Sequence, residues 1–159
     1  MILYMIRHGQ ARDESPTGHD CDRSLVSHGR EQAEAIAEFL SETAHQSPAL
    51  VLSSPYLRAK ETGTPIWAQM NQLQQIDDRL GADRCVSDIL DVIPDAGDAQ
   101  AIAIISHNPI ISRAIDVLIA GLEAPRLHSM RTGELIGVQF DPSDPIGSGH
   151  IVTRFRLGD

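Results

Sequence analysis

The chain has 159 residues, the length of one domain with a full-sized core, and a composition of 42% apolar and 22% charged residues, which excludes a disordered or acidic low-complexity chain. Thirteen basic against 22 acidic side chains give a formal charge of −9, which argues against a general binder of nucleic acid or of anionic membrane surfaces. No apolar run approaches the ~20 residues of a membrane span, the short run before Arg7 is no signal peptide, and two cysteines, Cys21 and Cys85, suggest a reduced cytoplasmic setting without a disulfide scaffold.

In chain order, the first element is an apolar run, Ile2 to Ile6. A helix follows, with Ser27 expected as its N-cap and Glu31 in its first turn. Its buried stripe is Ala33, Ile36, Ala37 and Leu40, spaced i, i+3, i+4, i+7. Glu31, Glu34, Glu38 and Glu42 form a solvated outer face. Leu50 to Leu52 is a second apolar run. A second helix is expected from Pro55 to about Met70, with Gly63 and Pro65 as breaking points. Ala101 to Ile105 is a third run. The helix after it should be capped by Asn108, with Pro109 at its first position, and should bury Ile110, Ile111, Ala114, Ile115 and Leu118. Residues 134–140 and 150–157 read as strands. Uninterrupted apolar runs alternating with helices predict a single α/β domain over residues 1–159. Its form is a three-layer α/β/α sandwich with a mainly parallel central sheet.

In such sheets ligands bind beyond the carboxyl ends of the strands. The first strand ends in Arg7-His8-Gly9. The second ends in Ser53-Ser54-Pro55, with Arg58 one turn on. The third ends in Ser106-His107-Asn108. Convergence of these ends would gather two arginines and two histidines with no carboxylate from any of the three segments. Such a group calls for an anion between its members, and a tetrahedral phosphoryl group matches the guanidinium fork. Arginine neighbours disfavour a divalent metal, so no metal and no cofactor are expected. A neutral imidazole attacking phosphorus is the chemistry that remains, and Gly9 leaves room for a phosphate beside the backbone.

These segments carry a family resemblance. Arg7-His8-Gly9 resembles the RHG signature of the histidine phosphatase (phosphoglycerate-mutase-like) superfamily. Ser54-Pro55-Tyr56-Leu57-Arg58-Ala59-Lys60-Glu61-Thr62 is similar to its S-P-x-x-R-A-x-x-T segment, and Ser106-His107-Asn108-Pro109 to its second-histidine motif. Leu25 through Gly29 with Gln32-Ala33 resembles its helix-start pattern, with Val26 in place of threonine. The resemblance implies that His8 is the phosphorylated nucleophile, that Arg7 and Arg58 hold phosphoryl oxygens, and that His107 contacts the same group. Thr62 is read as a packing residue that orients its helix, and Tyr56 and Trp67 as packing residues.

Only 48 residues separate Arg58 from His107, which leaves no room for a cap insertion. The short form, with Asp22-Arg23-Ser24-Leu25, resembles the SixA-type branch, which implies a phosphohistidine phosphatase acting on a histidine-phosphotransfer protein in signal transduction. Arg23 is a candidate substrate contact, or a surface cation paired with Asp20 or Asp22. A general acid is not evident; Asp13, Asp22 and Asp83 are the candidates. Its absence suits a P–N bond, whose protonated imidazole leaves without help, better than a phosphate ester. A small-molecule phosphomonoesterase and an inactive domain that binds a phosphorylated partner are the alternatives. The other histidines, His19, His28, His45, His128 and His150, are placed in loops or at element ends, and both cysteines are read as inert thiols. The protein is expected to be monomeric. Its net charge suggests a partner that is neutral or basic around the phosphohistidine, or that docks through apolar contacts.

Overall fold

The computed structural model describes residues 1–44 and 46–158; His45 lies outside them. Its centre is a six-stranded sheet built from β1 (Ile2–Arg7), β2 (Leu50–Ser53), β3 (Gln75–Ile76), β4 (Ala101–Ser106), β5 (Glu134–Gln139) and β6 (His150–Arg156), in the order β3-β2-β4-β1-β5-β6. The pairings β2–β3, β2–β4 and β1–β4 are parallel. The pairings β1–β5 and β5–β6 are antiparallel, so β5 alone runs against the other strands. The helices are α1 (Ser27–Glu38), α2 (Leu57–Gln69), α3 (Val86–Leu90) and α4 (Ile110–Ala120).

The apolar runs are uninterrupted because both faces of the inner strands are covered. On one face Ile2, Tyr4 and Ile6 of β1 pack with Ile36, Ala37 and Leu40 near α1 and with Ala59, Ile66 and Trp67 of α2. On the other, Leu3 and Met5 pack with Ile89 of α3 and with Ile110, Ile111, Ala114, Ile115 and Leu118 of α4. This alternation gives the three layers.

Three local expectations are corrected. Ser27 does not cap α1: it is the first helical residue, and Val26 stands at the N-cap without a side-chain bond. Gly63 and Pro65 do not break α2. The ring of Trp67 packs against Gly63, where a Cβ would lie 2.6 Å from its atoms, so the glycine serves close packing. Asn108 does not cap α4, whose N-cap is Pro109; its amide donates to the Met130 carbonyl (2.7 Å) and its side-chain oxygen accepts from Ser112 (2.6 Å). The Asn108–Pro109 peptide is cis. The exposed glutamates of α1 face solvent as expected. No described helix is long and apolar enough to cross a membrane.

Candidate active site

Parallel register fixes which residues meet at the sheet edge. Arg7 is paired with Ser106 across β1 and β4, and Ser53 with Ile105 across β2 and β4. The chain therefore leaves three adjacent strands at His8, Ser54 and His107. A cavity of about 310 Å³ opens there, lined by Arg7, His8, Arg58 and His107 together with Asp13 and Arg23.

The protonation pattern of His8 follows from its partners. Nδ1 lies 2.8 Å from the Gly9 carbonyl, which can only accept, so Nδ1 carries the proton. Nε2 receives the Nε–H of Arg58 at 3.1 Å, so it carries the lone pair. Burial lowers the His8 pKa to about 4; the charges of Arg58, Arg7 and Arg23 add to this, and the Gly9 carbonyl opposes it. The ring is thus neutral at neutral pH, with Nε2 as its nucleophilic atom.

His107 stands 5.0 Å from His8, ring centre to ring centre. Its Nε2 is 2.8 Å from the Ser54 hydroxyl, and Tyr56 meets the ring edge-on. Its pKa falls to about 3, through burial first and then the nearby His8 and Arg58. Ser54 also accepts the Tyr56 amide N–H. In the tautomer that accepts the Ser54 proton at Nε2, the ring proton resides on Nδ1, a buried atom with no hydrogen-bond partner among the described residues. A phosphoryl oxygen would satisfy that donor.

Arg7 donates through one terminal nitrogen to the Met130 carbonyl at 2.8 Å, and its buried Nε is unpartnered. Arg58 is buried and stacks over the Tyr56 ring. Its terminal nitrogens donate to the carbonyl and the carboxylate of Asp20, at 2.7 and 2.9 Å. Arg23 donates to the other oxygen of that carboxylate at 2.8 Å. The three strand-end segments supply no carboxylate, as expected; the one that reaches the arginines comes from the loop after β1. The polar loop after β1 folds back through a 3-10 turn, Asp20–Asp22, and places one carboxylate between two arginines. Both hold the Asp20 carboxyl below its usual pKa, Arg23 more strongly.

Gly9 does not line the cavity. A Cβ on it would lie 2.5 Å from the Gly29 carbonyl, so its missing side chain admits α1 rather than a phosphate. Thr62 accepts the Gly9 amide (3.0 Å) and donates to the Arg58 carbonyl (2.7 Å), which ties the two catalytic segments together. Gln32, buried on α1, accepts from the Gln10 amide and donates to the Thr132 carbonyl. Of the acid candidates, Asp13 borders the cavity and is exposed. Asp22 accepts from the Thr17 hydroxyl, and Asp83 is exposed beside Arg84. Trp67 donates to the Val51 carbonyl inside the core. Among the other histidines, His19, His28 and His150 are exposed, and His128 is bound to Asp116.

The sequence offered Asp20 only as a partner of Arg23; the Asp20–Arg58 pair, the Ser54–His107 bond and the Gln32 clamp were not foreseen. The pairing of Asp20 with Arg23 had a signal in their spacing of three residues. Its reach to Arg58, across 38 residues, had none.

Residues 3–81 match the model of the histidine phosphatase superfamily (branch 1). No curated protein matches the chain in sequence. Among solved structures, the chain is similar to the protein histidine phosphatase SixA in complex with tungstate: 22% identity, TM-score 0.79, covering 98% of this chain and 97% of that one. A structure assigned as the phosphohistidine phosphatase SixA of Nakamurella multipartitia has 18% identity and a TM-score of 0.81, covering 99% and 96%. A mycobacterial glucosyl-3-phosphoglycerate phosphatase in complex with VO3 has 17% identity and a TM-score of 0.74, covering 96% and 97%. At these identities the likeness is one of fold.

Proposed function

We propose, from the premise that the chain belongs to the histidine phosphatase superfamily, that this phosphatase removes the phosphoryl group of a phosphohistidine carried by a phosphotransfer protein. The observation that carries the reading is the pair of bonds on His8. Nδ1–H is spent on Gly9, and Nε2 is bare of protons and directed at the Arg58 donor.

In the first step His8 Nε2 attacks phosphorus. A P–N bond to His8 forms, and the P–N bond to the substrate imidazole breaks. The departing ring is protonated on its other nitrogen and leaves as neutral imidazole. Arg7, Arg58 and the Nδ1–H of His107 supply donors to the phosphoryl oxygens as charge builds on them. In the second step water attacks phosphorus and His8 leaves through Nε2; the water's proton passes to solvent or phosphate.

Two features support phosphohistidine over an ester. Among the described residues no carboxylic acid is buried at the cavity, so an oxygen leaving group would have only the exposed Asp13 as a candidate proton donor. The 48 residues between Arg58 and His107 are also taken up by the rest of α2, the two-residue β3 and the five-residue α3, which suits a phosphate presented on a protein. A second reading, a small-molecule phosphomonoesterase, is favoured by one observation, the position of Asp13 in the cavity lining.

Phosphate release should be measured from a phosphorylated histidine-phosphotransfer domain and from p-nitrophenyl phosphate. The expected outcome is a kcat/KM ~10²-fold or more in favour of phosphohistidine, the order that general-acid catalysis contributes. His8→Ala should abolish turnover with an unchanged circular dichroism spectrum. Equal rates on both substrates, with ester hydrolysis lost in Asp13→Asn, would establish the second reading instead.

A further inference from the structure

A cleft of about 530 Å³ opens beside the catalytic cavity and shares Ala82 and Asn108 with it. Its other walls are the start of α3, the start of α4 and the segment at 126–129. The side chains it gathers run against the charge of the molecule. Arg84, Arg113 and Arg126 line it, and Asp116 is the one carboxylate in the lining. That carboxylate is buried and already used: it accepts from the amides of Leu127 and His128 and from the His128 ring at 2.6 Å. Outside the lining, Asp83 lies 4.0 Å from Arg84 and is well exposed. Arg126 is exposed and makes no ion pair among the described residues.

The wall that carries Arg126 is fixed from beneath. The Arg113 guanidinium donates to the carbonyls of Leu122 and Ala124, and Asp116 holds the chain at 127–128. The same segment ends on Met130, whose carbonyl accepts from Arg7 and from Asn108. The cleft and the phosphoryl-binding arginine thus share an anchor. While its backbone is pinned, the segment turns Arg126 and the 61%-exposed Leu127 outward.

We infer that this cleft seats the body of the phosphorylated protein and reads an acidic side chain close to its phosphohistidine. The inference rests on the function proposed above and reverses, for this face, what the net charge alone suggested about the partner. Arg113 is bound only to neutral carbonyls, Arg126 has no ion pair among the described residues, and Arg84 has only an exposed carboxylate at 4.0 Å, so the cleft attracts a further carboxylate; the exposed Leu127 adds apolar contact at the rim. A cleft that shares Ala82 and Asn108 with the cavity is placed to meet residues next to the one whose phosphate Arg7 and Arg58 would hold.

Two synthetic phosphohistidine peptides, one flanked by glutamates and one by lysines, test it against the wild type, Arg126→Glu and Arg84→Glu. Both arginines are exposed and lie outside the catalytic cavity. The wild type is expected to favour the glutamate peptide in kcat/KM by about tenfold at low salt, through KM, with the preference shrinking as ionic strength rises. Either charge reversal should erase or invert the preference and leave kcat unchanged. Equal kcat/KM for the two peptides, or a preference that survives both reversals, overturns the inference while phosphohistidine turnover stands. If neither peptide is hydrolysed and 3-phosphoglycerate is, the parent reading falls and this inference falls with it.

Discussion

Under the proposed function, a carboxylate beside Arg58 is a competitor as well as an anchor. Asp20 bridges Arg58 and Arg23, while the Nε–H of Arg58 is on the nucleophilic nitrogen of His8. An incoming phosphoryl group needs donors that Asp20 now occupies. Replacing Asp20 by Asn keeps the shape and removes the like charge. Tungstate inhibition of Asp20→Asn should tighten by about three- to tenfold, consistent with the loss of one partly screened repulsion. Weaker inhibition would make Asp20 chiefly an anchor for Arg58. The residue scale also shows the limit of the sequence. The convergence of Arg7, His8, Arg58 and His107 was legible because each lies at or shortly after the carboxyl end of a strand. Asp20 sits in a polar loop with no periodicity, and its position depends on how that loop folds back.

At the scale of elements, catalytic geometry depends on how closely α1 approaches the loop after β1. Gly9 and Gly29 face each other, and a Cβ on Gly29 would lie 2.1 Å from the Gln10 carbonyl. Backbone cannot yield there without moving the segment that carries His8. Gly29→Ala is expected to lower stability by roughly 1–3 kcal/mol, as overpacking does, and to reduce kcat. Glu34→Ala, on the exposed face of the same helix, should stay within about 0.5 kcal/mol of wild type in urea unfolding. The apolar runs announced β1, β2 and β4 because burial on both faces leaves a plain mark in sequence. β3 left none, being two exposed residues. Helix ends were harder. Ser27 and Asn108 have capping side chains, yet α1 starts without a side-chain cap and Asn108 is drawn to Met130 and Ser112. Gly63 and Pro65 looked like breaks because the packing of Trp67 and Ile105 against Gly63 is a tertiary fact.

For the whole molecule, two buried neutral histidines make stability depend on pH. An unfolded histidine titrates near 6.5, whereas His8 and His107 titrate near 4 and 3 in the fold. Between those values the unfolded chain binds more protons, so the free energy of unfolding falls as pH falls from about 6.5 toward 4 and below. Urea midpoints should decline over that window, and His107→Asn should flatten the slope even if it lowers the midpoint at pH 7.5. A midpoint independent of pH from 7.5 to 5 would contradict the burial of both rings in neutral form. The fold class and the layer order were legible because they follow from alternation of runs and helices. The distribution of charge was not, since a total of −9 conceals a basic cleft assembled from residues 84, 113 and 126.

Both thiols are exposed and unpaired, and their addresses matter for experiment. Cys21 follows Asp20 on the loop that grips Arg58, and Cys85 lines the basic cleft. The native chain therefore carries two chemical reporters, one on the loop beside Arg23 and Arg58 and one in the neighbouring groove. A single alkylating reagent with mass-spectrometric readout can record the two regions separately. A small oxyanion would alter labelling at Cys21 alone, whereas a macromolecule in the groove would also shield Cys85.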